Sequence, residues 1–211
     1  MIMTQGRISG KPENGLPGCA MMSGRYGSST GNLEDRETDM LTAPEFIQTH
    51  LKRLHRGLDK ALADLTPEQL HAVPAGHPKA NTIAWGLWHY ARTEDNIVRW
   101  VIQDRRPPIW AEAGYAQRLG LPPVAQGTGM SAEEAHALRI TDLPLFQEYM
   151  RQVWAGTEQL FVDAPPALFD KTVTVKPLGD MSVIECLGQV GLTHGMTHLG
   201  EIELARTLVG V

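Results

Sequence analysis

Two histidines stand four residues apart in Thr193-His194-Gly195-Met196-Thr197-His198. On a helix this spacing points both imidazoles the same way, about one turn apart. Both rings can then reach one metal ion. The bland alternative is two packing histidines bonded to separate carbonyls or waters, since an unpaired buried polar group costs roughly 1–3 kcal/mol. Spacing alone leaves both readings open. The pair also resembles part of a metalloprotease helix, but that motif needs a glutamate directly after the first histidine as general base. Here that residue is Gly195, so the protease reading loses its catalytic group. Glu201, one turn past His198, has three available roles: a ligand, an acceptor for the other imidazole N–H, or a surface acid. The acceptor role fits best, because a metal-bound imidazole usually passes its second N–H to an acceptor. Cys186 lies two turns before His194, about 12 Å along the axis, too far to share an ion. It reads as a buried, inert thiol.

The helix carrying the pair opens at Ser182-Val183-Ile184-Glu185, a capping box, and runs to about Leu208. Leu187, Gly191, His194, His198, Glu201 and Ala205 share one of its sides, otherwise apolar or small, which points the histidines inward. Three further long helices are predicted. The first spans about Pro44–Leu65, opened by the capping box of Thr42 and Glu45, with an apolar stripe through Ile47, Leu51, Leu54, Leu58 and Leu62. His50 and His55 fall off the stripe and read as solvated. The second runs from an Asn81 N-cap to about Arg105, stopped by Pro107-Pro108. It places His89 at the border of a buried face, between Trp85 and Trp88. The third spans about Asp142–Val162.

Residues 106–140 are irregular apart from a short capped helix at Ser131–Leu138, in which His136 reads as exposed. A connection this long is often functional and is placed to wall a pocket. Lys171–Val175 alternates and suits a short extended segment. No other strand pattern survives, so the fold class is all-α, a four-helix bundle.

The bulk properties exclude several classes. The 211 residues most simply make one domain, and 42% hydrophobic with 20% charged residues is ordinary for a globular chain. A net charge of −5 argues against nucleic acid as a partner. No apolar run is long enough for a membrane span. Two cysteines, Cys19 and Cys186, give no basis for a structural disulfide, and a cytoplasmic location fits. Residues 1–40 are rich in Gly and Ser and lack periodicity, which reads as a disordered tail before a domain at 41–211. Leu16-Pro17-Gly18-Cys19 resembles a lipoprotein cleavage site, but no apolar stretch precedes it.

The segment Asn81-Thr82-Ile83-Ala84-Trp85-Gly86-Leu87-Trp88-His89-Tyr90, followed about a hundred residues later by His194-x3-His198-x-Gly200-Glu201-Ile202, is similar to the DinB-like superfamily. That superfamily includes the bacillithiol- and mycothiol-dependent S-transferases. The resemblance covers about residues 42–209. It implies an up-down-down-up four-helix bundle with a long connection between helices 2 and 3, and often a homodimer. It implies a divalent metal ion, usually zinc or nickel and sometimes iron or manganese, held by His89, His194 and His198. Three histidines leave an open coordination position, as in catalytic zinc sites.

The implied activity is transfer of a low-molecular-weight thiol, made nucleophilic as the thiolate, to a small-molecule electrophile. Arg92 and Glu94, one turn from His89, are candidates for holding the rest of the thiol. Two other readings stand beside it: a metal-dependent hydrolase with Glu201 as its base, and a non-catalytic bundle that binds a metal or ligand.

Overall fold

The computed structural model describes residues 40–211. The expected tail therefore lies outside the described residues, Met40 excepted. What is described is mostly helical, with one short β-hairpin. Helix α1 spans Ala43–Leu62 and opens at Thr42, whose side chain accepts from Glu45 N while the Glu45 carboxylate returns to Thr42 N. The same reciprocal capping opens α2 (Pro67–His71) from Thr66, α6 (Ala132–Ala137) from Ser131, and α9 (Val183–Cys186) from Ser182. Each box satisfies two otherwise orphaned donors at a helix start.

Helix α3 (Ile83–Asp95) is the centre of the molecule. Every residue in it is buried, so it is covered on all sides instead of presenting one stripe. Its N-cap is Thr82, whose hydroxyl accepts from Trp85 N; the expected cap, Asn81, sits one residue outside. The helix then widens into a π-helical stretch at Asn96–Ile102. Short helices α4 (Ile109–Glu112), α5 (Tyr115–Leu119) and α6 follow in the long connection, and α7 spans Leu143–Asp163. After α8 (Ala167–Asp170), strands β1 (Thr172–Val175) and β2 (Gly179–Ser182) pair antiparallel, Val175 opposite Gly179. The expected extended segment is thus one arm of a hairpin.

The last helix is not continuous. Between α9 and α10 (His194–Leu208) lies a second π-helical stretch, Leu187–Thr193. A π turn inserts an extra residue and so rotates everything after it relative to what precedes. Thr193 Oγ1 donates to the Gly188 carbonyl oxygen at 2.9 Å, supplying a partner inside the widened turn. Helix α1 packs against α7 and α10, and α3 against α7 and α10. Leu51, Leu54, Leu58, Trp88, Tyr90, Tyr149 and Phe146 fill the space between them.

Of the three histidines expected at the surface, His50 is half-buried and the other two take partners inside the fold. His55 is 2% exposed. Its ring stacks on Trp154 at 4.3 Å, and its Nε2 lies 3.0 Å from Glu94 Oε2. His136 is half-buried and donates from Nε2 to the Ala80 carbonyl. Both corrections have one cause: a polar residue off an apolar stripe is still buried when another element brings it a partner.

Candidate metal centre

His194 and His198 lie on the first two turns of α10, and His89 is in the middle of α3. The three rings meet. His198 Nε2 is 2.9 Å from His194 Nε2, and His89 Nε2 is 3.4 Å from the same atom. One nitrogen from each of the three lies within 4.8 Å of the others. The rings are near perpendicular to one another, with interplanar angles of 80–85°. Metal–nitrogen bonds of about 2.0–2.1 Å at tetrahedral angles hold ligand nitrogens roughly 3.3–3.4 Å apart, close to this spacing.

The protons sharpen the assignment. His89 Nδ1 faces the Gln126 carbonyl oxygen, which only accepts, so Nδ1 carries the hydrogen and Nε2 a bare lone pair. His198 Nδ1 lies 2.9 Å from Glu201 Oε2, with the same consequence. Two lone pairs are therefore aimed at His194 Nε2. The Nδ1 of His194 is buried without a hydrogen-bond partner of good geometry. The nearby Val190 carbonyl still favours its protonated form, which partly offsets burial. Burial pushes His89 and His198 down to about 4, and His194 is lowered too. Three neutral imidazoles with converging lone pairs fit a bound cation. His71, by contrast, finds ordinary partners: it holds Pro67 O with Nδ1 and accepts from Ile140 N with Nε2.

Supports for the site come from residues that sequence reasoning missed. Gln126 and Gly127 belong to the long connection, which folds back over α3. Gly127 has φ +99°, and a Cβ there would lie 2.8 Å from His89 Nδ1 and 3.1 Å from Trp85. Only glycine lets the loop approach so closely. The loop is fastened by Trp110 Nε1 donating to Pro122 O, and by Arg92 Nη2 donating to Val124 O. Arg92 is thus buried beneath this loop over the Trp110 ring. Glu94 is also buried, accepting from His55, Tyr90 and Thr157. Neither residue faces a ligand space, contrary to expectation.

A cavity of about 1000 Å³ opens onto His89 and His194. Trp85, Ile97, Trp100 and Met130 give it apolar walls, and the hairpin contributes Thr174–Leu178. Both π-helical stretches border it, through Asn96, Ile97 and Trp100 on one side and Gln189 and Val190 on the other. Glu201 does not line it. Cys186 is fully buried, and burial pushes its thiol up to about 11. Among the described residues, no helix is long and apolar enough to cross a membrane.

Comparison with known proteins agrees with the fold. A sequence profile of the DinB superfamily matches residues 50–202. A conserved protein from Enterococcus faecalis, known from its crystal structure, is 19% identical with a TM-score of 0.70, over 81% of this chain and 98% of its own. No curated protein matches the chain.

Proposed function

We propose, for a chain that belongs to the DinB superfamily, that His89, His194 and His198 hold one divalent metal ion and that the site presents a low-molecular-weight thiol to an electrophile. The finer fold reading, an up-down-down-up four-helix bundle, belongs to the same proposal. One observation carries it: lone pairs fixed on His89 and His198 converge on His194 Nε2. An imidazole set of this kind suits zinc or nickel, with iron or manganese as alternatives. Such a metal, when bound, deprotonates a coordinated thiol and so supplies the nucleophile.

The chain's own residues do the rest. The Gln126 carbonyl and Glu201 hold the tautomers that leave Nε2 free. Trp85, Ile97 and Met130 line the approach with apolar surface. The cavity has room for a thiol and a second reactant. No protein nucleophile is needed, and Cys186, buried as a protonated thiol, is unsuited to be one. Glu201, the base of the hydrolase reading, is engaged by His198 and does not line the cavity.

The test is elemental analysis of protein purified without metal-chelate chromatography, together with turnover of a thiol and a model electrophile. The expected result is close to one metal per chain, its loss in His194→Ala, and thiol-dependent turnover. Metal content unchanged by that substitution refutes the proposal.

A further inference from the structure

We infer that the cavity beside the histidines selects an anionic cosubstrate, a thiol carrying a carboxylate or phosphate group held by Arg105 and Lys176. This rests on the thiol reading above and names its substrate class. Arg105 and Lys176 both line the cavity, and no aspartate or glutamate does so among the described residues. The cavity is therefore cationic in a chain whose net charge is −5. The two cations come from separate elements. Arg105 ends the turn after the first π-helical stretch, and Lys176 sits in the turn between β1 and β2.

Neither makes an ion pair among the described residues, so both are free to meet an anion. Arg105 is held by the face of Trp100, its guanidinium carbon 5.3 Å from the ring centre. It also has φ +64°, a backbone conformation an L-residue adopts at a cost. The polar side chains nearby, Thr93, Asn96, Gln126, Thr128 and Gln189, are neutral and suit the amide or hydroxyl groups of a small polar molecule.

The experiment is calorimetric titration of the metal-loaded full-length chain, wild type and R105Q/K176Q, with mercaptosuccinate and with neutral thioglycerol. Both substituted side chains are exposed, so folding and metal content are expected to be retained. The wild type is expected to prefer mercaptosuccinate roughly tenfold, and the double variant to lose most of that preference, as two exposed ion pairs imply. Raising the ionic strength should narrow the preference. Equal binding of the two thiols by the wild type, or a preference kept by the double variant, overturns the inference while leaving the metal and thiol reading intact. Succinate and inorganic phosphate, titrated alone, separate the anion claim from the metal. Whichever binds the wild type and is weakened in the double variant identifies the anion. Binding by neither, or binding that survives in R105Q/K176Q, overturns the claim. A wild type without metal refutes the proposed function, and the succinate and phosphate titrations still decide the anion site.

Discussion

Gly127 offers the sharpest test of how the site is held. A methyl group at this position would stand 2.8 Å from His89 Nδ1, about 0.6 Å short of ordinary van der Waals contact. The φ of +99° adds backbone strain of about 1–3 kcal/mol for any L-residue. Gly127→Ala therefore has two consequences. The strain lowers stability, by roughly 2–12 °C in melting temperature for a chain of this size. The contact pushes the His89 ring away from the Gln126 carbonyl that fixes its tautomer.

Loss of such an outer hydrogen bond typically weakens metal binding 10- to 100-fold, about 1.4–2.7 kcal/mol. Gly129 separates the two effects. It lies in the same loop with φ +80°, and a Cβ there meets nothing within 4 Å. Gly129→Ala should lower the melting temperature by a similar amount and leave metal affinity unchanged. The assay is a competition titration with a chelator of known affinity at neutral pH, beside thermal melts of both variants. Equal metal affinity in the two variants refutes the argument that this loop positions His89.

Gly195→Ala places a methyl 2.4 Å from Leu54 Cδ2 and 2.5 Å from the Tyr90 ring; overpacking of this kind costs about 1–3 kcal/mol and should appear as a lower urea midpoint. Glu94→Ala strips the acceptor from His55, Tyr90 and Thr157; a broken buried network is worth roughly 3–5 kcal/mol, and the same denaturation curves measure it. The metal-free protein should lose stability as pH falls from about 6.5 to about 4, because the unfolded chain binds protons in that window while His89 and His198 stay neutral in the fold; a denaturation midpoint that is flat over this range contradicts it. Cys186, buried with its thiol near 11, should resist iodoacetamide at pH 8 in the native protein and react after unfolding, as peptide mapping by mass spectrometry will show.

What could be read from the sequence followed the range of the interaction. Capping boxes at Thr42, Ser131 and Ser182 involve residues three apart, and each is where the pattern puts it. The spacing of His194 and His198 is equally local. His89 was tied to them through resemblance to a family, since nothing within its own helix distinguishes it from a packing histidine. The burial of His55 depends on Glu94, 39 residues away, and on Trp154. Its own helix shows only a polar residue off an apolar stripe. Arg92 and Glu94 misled for the converse reason. Because α3 is surrounded by protein on all sides, neighbours of His89 are claimed by other elements, Arg92 by the Val124 carbonyl and Glu94 by His55, Tyr90 and Thr157. The π-helical stretches left no signal in the apolar period, which continues across them.

The residue between the two histidines ties the fold to the chemistry. His194 and His198 face His89 across the gap between α10 and α3, while Gly195 turns the other way, into Leu54 of α1 and Tyr90 of α3. The helices approach so closely there that no side chain fits. A metalloprotease helix uses this position for its general base, and here that acid has no space and would point into the core in any case. The polar group on that side is the Tyr90 hydroxyl. It donates to Glu94 and lies 3.0 Å from the Gly191 carbonyl in the π turn that leads into His194. The packing that aims the histidines thus leaves no room for a carboxylate at the position between them.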